Sequence, residues 1–395
     1  MSLSARAVLR VLSSLAGGPA EAARALDAGT LAARAAEFFG LEASVLARPT
    51  RAALVKDRSM LPLGTPARLE TLAGAVLAHW PGERLALTTS GSTGEPQLHV
   101  REMLWLAQET RFLAGLFTGA RRVVSLVPSH HIYGFLFAVL LPETLGIPVL
   151  DLEAASLTAL QGILEPEDIV LGFPFLWKKW GELGVRYPRR VTGVTSTGPC
   201  RPEIIQAALT GGLSRMAEIH GSTETGGLGY RFCHDEPYRL MDHWSIAVSD
   251  KATLWRAHPD GCAPVRFSLP DEFQWAGERL YRPAGRRDKA VQIAGVNVYP
   301  EHVRRVLLDH PLVKEAAVRP MLAHEGDRLK AYIVVSDSAV SFETLIRTLR
   351  EYLSGVLSAP ETPRNFTIGR ALPKNALGKD MDWGISPCGE EWEEK

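Results

Sequence analysis

The chain has 395 residues, 46% of them hydrophobic and 22% charged, the balance of a soluble globular protein with room for more than one domain. Lys+Arg and Asp+Glu both number 44, so the formal charge is zero and the overall balance marks neither a nucleic-acid partner nor membrane-surface binding. The four cysteines, Cys200, Cys233, Cys262 and Cys388, have no C-x-x-C spacing and no histidine placed to complete a zinc site, and they read as unpaired thiols of a reducing cytosol.

At the N-terminus Arg6 and Arg10 stand among Ala, Leu and Val, which predicts an amphipathic helix rather than the continuous apolar stretch of a signal peptide. Helical spacing recurs up to about Trp80, for example in Leu69, Leu72, Ala73, Val76 and Leu77. A strand over 84–89 then runs into a Gly/Ser/Thr loop. Beyond it the pattern predicts a helix over 103–116, a buried strand over 122–127, a Pro-Ser-His-His loop and a helix from about Tyr133. Further strands are expected over 147–152, 168–172, 191–196 and 216–220. Short apolar strands alternating with helices indicate an α/β fold with a largely parallel sheet. The longest apolar run, 135–150, is broken by Pro142-Glu143 and by Gly146-Ile147-Pro148, so no membrane insertion is expected and the protein reads as cytoplasmic.

After Gly261 short strands with polar interruptions, 264–268 and 273–275, predict a smaller and more antiparallel β region. From Val291 the order is strand, helix (300–309), strand (313–319), strand (329–335), helix (341–353), a compact α+β unit. The expected division is a large domain over 1–287 and a small one over 288–395.

Four segments carry candidate chemistry. The first is Thr88-Thr89-Ser90-Gly91-Ser92-Thr93-Gly94-Glu95-Pro96, where two glycines and several hydroxyls after a strand suit a loop that wraps phosphate oxygens. It lacks the GK[ST] ending of a Walker A loop. The second is His220-Gly221-Ser222-Thr223-Glu224-Thr225-Gly226-Gly227, whose carboxylate could bind Mg²⁺ beside phosphates. Its bland alternative is an acidic residue in the first turn of a helix. The third is Gly285-Arg286-Arg287-Asp288, preceded by Asp271. The fourth is Pro373-Lys374-Asn375-Ala376-Leu377-Gly378-Lys379, whose lysines, taken alone, read as solvated surface residues.

In this order the four segments resemble the adenylate-forming superfamily of acyl- and aryl-CoA synthetases, peptide-synthetase adenylation domains and luciferase. The resemblance runs from about Leu85 to Lys379 and implies an ATP-dependent ligase that makes an acyl-adenylate and passes the acyl group to a thiol. It implies that Thr89, Ser90, Gly91, Ser92, Thr93 and Gly94 close over the ATP phosphates. His220, Gly221 and Ser222 would lie at the nucleotide, with Thr223 at the α-phosphate and Glu224 on Mg²⁺. Asp271 would hold the ribose, with Arg286 nearby. Asp288 would be the hinge of a swivelling C-terminal domain, Lys379 the catalytic lysine of adenylation, and Gly295 part of the thiol channel. The segment Pro128-Ser129-His130-His131-Ile132-Tyr133-Gly134 resembles the acid-pocket segment of acyl- and aryl-CoA synthetases, which puts His131 and Gly134 at the acyl pocket. Thr195-Ser196-Thr197-Gly198-Pro199 resembles the turn beside adenine and acyl group, which adds Gly198.

Two departures stand out. The lysine that most of the family places after the phosphate loop is Gln97 here, with Arg101 either compensating or simply solvated; a second family lysine is Gln292. The chain also has a short N-terminal region. In that shortness and in its loop it is similar to the small ligases of aryl-polyene and xanthomonadin-type pathways, which load an aryl acid onto an acyl carrier protein. The resemblance implies CoA or a carrier protein's phosphopantetheine as acceptor, with an acyl carrier protein the expected partner and CoA the weaker acceptor. The competing readings are a medium-chain acyl-CoA synthetase, an amide-forming ligase and a non-catalytic nucleotide-binding relative.

Overall fold

The computed structural model describes residues 3–17, 28–47, 67–90, 96–153, 156–247, 252–293, 296–322, 324–336, 341–373 and 381–385. They fall into two compact units, Met1–Thr89 with Gln97–Gly285 and Ser90–Pro96 with Arg286–Lys395.

In the first unit the chain opens with helices α1 (Ala5–Leu15), α2 (Ala28–Phe39), α3 (Ala43–Ala47) and α4 (Ala67–His79). The Ser4 hydroxyl caps α1 by accepting the Ala7 amide, and the helix buries Ala7, Val8, Leu9, Val11 and Leu12. The N-terminal pattern is therefore an amphipathic helix with its apolar stripe in the core. A two-stranded sheet of β1 (Arg84–Ser90) and β2 (Pro96–Glu102) leads into α5 (Met103–Leu116).

The main sheet has a parallel half made of β3 (Arg122–Ser125), β4 (Val149–Asp151), β5 (Asp168–Gly172), β6 (Thr192–Thr195) and β7 (Arg215–Ser222). The helices between them are α6 (Ile132–Gly134), α7 (Leu141–Leu145), α8 (Pro174–Glu182) and α9 (Pro202–Thr210), and a π-helical turn (Phe135–Leu140) joins α6 to α7. Pairing runs β4-β3-β5-β6-β7, parallel throughout. Successive side chains serve opposite faces. Val123, Ile169, Leu171, Val194 and Ala217 pack with the helices of the N-terminal layer. Val124, Val170 and Met216 pack with Trp177, Trp180, Ile205 and Ala208 of α8 and α9. A parallel sheet between two helical layers is the α/β arrangement expected.

Antiparallel pairing starts earlier than the sequence pattern predicts. Strands β8 (Gly226–Arg231) and β9 (Tyr238–Leu240) extend the sheet from β7. A separate three-stranded sheet holds β10 (Trp244–Ile246), β11 (Thr253–Arg256) and β12 (Val265–Ser268), and β13 (Asp271–Trp275) and β14 (Leu280–Arg286) complete the main sheet at nine strands. The change thus begins at Gly226 and not at Gly261. The run Gly226-Gly227-Leu228-Gly229 has little strand character of its own. It is glycine-rich because neighbours occupy the side-chain space: a Cβ on Gly227 would meet Glu109 Oε1 at 2.4 Å.

The second unit contains β15 (Val291–Ile293), β16 (Val296–Val298), α10 (Pro300–Leu308), β17 (Val313–Pro320), β18 (Leu329–Val335), α11 (Phe342–Val356) and β19 (Asn365–Gly369). Strand β18 pairs antiparallel with β17 and parallel with β19. Val303, Leu307, Ile333, Leu345 and Leu349 are among its core residues. Lys330 is fully buried in β18, where its ammonium meets both Glu325 oxygens at 3.0 and 2.8 Å, Asp382 Oδ2 at 3.1 Å and the Trp383 carbonyl at 2.6 Å. Among the described residues no helix is long and apolar enough to cross a membrane.

Candidate active site

Three candidate segments of the first unit, 128–134, 195–199 and 220–227, follow or close strands of the parallel half of the sheet. In open α/β sheets the crevice beyond the carboxyl ends of the strands is where ligands bind. The 128–134 segment follows β3. The hydroxyl of Tyr133 lies 3.0 Å from the Gly172 carbonyl and 2.9 Å from that of Val194, so this segment is tied to the ends of β5 and β6. His131 is the N-cap of α6, with its ring centroid 4.3 Å from that of His130, and burial lowers the pKa of its imidazole. Gly134 allows this close packing, because a Cβ there would stand 2.0 Å from the Pro128 carbonyl oxygen. His130 turns inward to Ser14 of α1, with Nδ1 and Oγ 2.7 Å apart. Burial, with lesser contributions from His131 and Arg34, lowers its pKa to about 3.

The 195–199 turn follows β6. Ser196 Oγ donates to the Ile219 carbonyl at 2.9 Å, which joins the turn carrying Gly198 to β7. Thr197 adopts φ +72°, a conformation that β-branched residues rarely enter. At the end of β7, His220 and Asp271 come together. Nε2 of His220 lies 3.5 Å from Asp271 Oδ2, and Nδ1 lies 3.0 Å from the Tyr281 hydroxyl. Tyr238, Phe273 and Tyr281 surround the imidazole at centroid distances of 5.5, 5.6 and 5.6 Å.

Thr223 and Glu224 form the turn between β7 and β8, so Glu224 sits on a strand-to-strand turn and the helix-terminus alternative does not hold. Ser222 Oγ accepts the Thr225 amide at 3.2 Å and stands 3.0 Å from Thr225 Oγ1. Below the turn lies a set of charged residues that sequence reasoning missed. Arg256 donates to the Thr225 carbonyl at 3.1 Å, to the Trp105 carbonyl at 2.7 Å and to Gln108 Oε1 at 3.0 Å. Glu109 Oε1 accepts the Gly227 amide at 2.8 Å, and Trp244 Nε1 donates to the Gly227 carbonyl at 2.8 Å. Arg101 Nη1 donates to the Glu224 carbonyl. Burial lowers the pKa of Arg256 to about 10, and raises that of Glu109 against the opposing pull of Arg256 and the Gly227 amide. Arg101 is only 7% exposed, which corrects the reading of it as a solvated strand residue. One signal of this cluster is legible: Glu109 lies on the apolar stripe of α5 between Leu106 and Leu113, where a carboxylate requires a buried partner.

Thr89 and Ser90 end β1, and Gly91, Ser92, Thr93, Gly94, Gly295 and Lys379 lie outside the described residues. In the second unit Arg286 meets Asp288 through two hydrogen bonds, Nε to Oδ1 at 2.9 Å and Nη2 to Oδ2 at 2.7 Å. Tyr299 adds a third at 3.1 Å.

Residues 303–379 match the AMP-binding enzyme C-terminal domain. Over 295 residues the chain is 40% identical to a 4-coumarate–CoA ligase from Halorhodospira halophila, an alignment covering 75% of this chain and 74% of that one. A 4-coumarate–CoA ligase from Cereibacter sphaeroides is 36% identical over 307 residues, covering 77% and 71%. Among solved structures, an amide bond synthetase from Marinactinospora thermotolerans is similar with a TM-score of 0.65 at 17% identity, covering 95% of this chain and 92% of that one. A malonyl-CoA ligase, in a complex with methylmalonyl-CoA and AMP, is similar at 0.60 and 21% identity, covering 73% and 71%. At these identities the two structures speak to the fold.

Proposed function

The chain belongs to the adenylate-forming, AMP-binding family and is an AMP-forming acid–thiol ligase, and from that premise we propose that it joins a small aryl carboxylic acid to the pantetheine thiol of CoA. The observation that carries the aryl reading is the 40% identity to a 4-coumarate–CoA ligase over three-quarters of each chain. His131 at the proposed acyl pocket agrees with it, since a flat ring is a good surface for an aromatic acid.

In the first half-reaction a carboxylate oxygen attacks the α-phosphorus of ATP and the bond to pyrophosphate breaks. In the second the thiol attacks the acyl carbonyl, loses its proton and expels AMP. The first step brings two anions together, so the site must supply positive charge where charge develops. Mg²⁺ supplies part of it when bound with the phosphates. Such an ion needs only one or two protein carboxylates. Glu224, half-buried on a braced turn, suits that demand, and among the described residues no group of three or more His, Cys, Asp or Glu forms a metal site of its own. Thr89 to Gly94 hold phosphate oxygens, Thr223 meets the α-phosphate, and Asp271, oriented by His220, takes the ribose hydroxyls. Lys379 contributes the remaining positive charge. It must then withdraw, because the thiol approaches the same face of the adenylate past Gly295. Asp288 is the hinge that permits this exchange.

The test is acid-dependent pyrophosphate exchange with benzoate, hydroxybenzoates, cinnamate and 4-coumarate beside octanoate and several amino acids. We expect an aromatic acid to give the highest kcat/KM. A clear preference for octanoate or an amino acid would end the aryl reading. CoA and a holo carrier protein offered side by side then decide the acceptor, with faster turnover on the carrier protein overturning CoA.

A further inference from the structure

The turn that carries Glu224 rests on three buried ionisable side chains for which the two half-reactions have no direct use. Arg101 comes from β2, Glu109 from α5 and Arg256 from β11, and all three are buried. Ions removed from water destabilise a fold unless they are well paired. Here the pairing among them is incomplete. Arg101 Nε and Nη2 are buried with no hydrogen-bond partner, as is Glu109 Oε2, which stands 3.9 Å from Arg256 Nη2. Apart from the bond of Arg256 to Gln108 Oε1, their completed bonds run instead to backbone, that of Arg256 to the Trp105 carbonyl among them. Arg101 takes the carbonyl of Glu224, Arg256 that of Thr225, and Glu109 the amide of Gly227. A cluster serving stability alone would close its ion pairs first; this one directs its bonds to three residues of one turn, Glu224, Thr225 and Gly227.

We propose that Arg101 is a positioning residue for Glu224. Arg101 stands on β2, and its guanidinium fixes the Glu224 carbonyl from beneath the turn. Arg101 therefore acts through the turn's backbone and does not replace the family lysine at Gln97 as a phosphate ligand. The inference rests on the proposed role of Glu224.

The experiment is a double-mutant cycle in pyrophosphate exchange, with the full chain, its best acid and Arg101→Met, Glu224→Gln and the pair together. Arg101→Met should lower kcat by about tenfold or more, the scale of losing alignment at a reacting centre. It should leave the KM for the acid unchanged and raise the Mg²⁺ concentration needed for half-maximal rate. In the Glu224→Gln background the same change should cost less than about threefold, because contacts in one network do not add. Arg101→Lys keeps the charge and one donor and should recover part of the loss; if Arg101→Met does not fold, Arg101→Lys takes its place in the cycle. Equal losses with and without Glu224 would overturn the positioning role while leaving the function intact. A wild-type chain that exchanges pyrophosphate with no acid would overturn the function itself, and the inference with it.

Discussion

The Asp288 carboxylate is gripped by Arg286, two residues before it in the chain, through hydrogen bonds of 2.9 and 2.7 Å. Burial alone would raise its pKa. The Arg286 bonds and the Ala290 amide outweigh burial and hold it below the usual carboxylate range. The hinge proposed at Asp288 thus carries a charged side chain engaged by Arg286 before it and by Ala290 and Tyr299 after it.

Proline at this position would fix φ and stiffen the hinge, whereas alanine would remove the carboxylate and leave the backbone free. We expect Asp288→Pro to retain pyrophosphate exchange and lose thioester formation. Asp288→Ala should keep both half-reactions to within about threefold, a modest effect for a partly exposed ion pair. Both half-reactions are measured for each variant; a parallel fall of the two in Asp288→Pro places the hinge elsewhere.

Lys379 is assigned to the first half-reaction only. Lys379→Ala should cut acid-dependent pyrophosphate exchange by roughly 10²-fold, the scale of removing one donor aimed at developing charge. Thioester formation from pre-made acyl-adenylate should persist at the wild-type rate. Near-normal exchange in the variant would remove Lys379 from the mechanism.

How much of this was legible in the sequence follows from how local each signal is. The helix Met103–Leu116 and the strands Asp168–Gly172 and Leu329–Val335 coincide with the expected spans, because each announces itself by its own apolar periodicity. Family resemblance implied His220 and Asp271 separately as nucleotide residues; that their side chains lie together is visible only in the structure. Strand β8 was illegible because its glycines reflect space taken by Glu109 from another element. Arg256 was illegible too. Its bond to the Thr225 carbonyl joins residues 31 apart, and no local pattern around it signals burial. The Pro373–Lys379 motif was legible as a motif, but residues 374–380 lie outside the described structure.

Two glycines offer a matched test of the charged cluster. Gly226 and Gly261 both have φ +76°. A Cβ on Gly226 would stand 2.5 Å from Glu109 Oε2, while one on Gly261 would meet nothing within 4 Å. Both alanine variants carry the left-handed backbone penalty of about 1–2 kcal/mol. Gly226→Ala should cost at least about 1 kcal/mol more than Gly261→Ala in denaturant unfolding, the scale of overpacking a buried site. Equal losses would mean that Glu109 yields freely.

Acidification should destabilise the first unit through His130. Its folded pKa of about 3 lies below the roughly 6.5 of an unfolded histidine. Between those values the unfolded chain binds more protons, so this contribution is complete above about pH 6.5 and is lost as pH falls toward 3. His243, which burial also lowers to about 3, acts with the same sign. His130→Gln should flatten the fall in melting temperature between about pH 7 and pH 5. Curves of identical slope for variant and wild type would show that His130 is not a source of the pH dependence.

At the proposed acyl pocket, the close approach of Gly134 to the Pro128 carbonyl sets a boundary for anyone who wants to change which acid is used. A Cβ 2.0 Å from a backbone oxygen cannot be absorbed by a rotamer change, so any residue larger than glycine must move the chain. Tyr133 beside it is tied to the ends of β5 and β6 and resists that movement. Laboratory evolution of acid preference should therefore accept many residues at position 131, an exposed residue, and return glycine at position 134 in nearly every survivor.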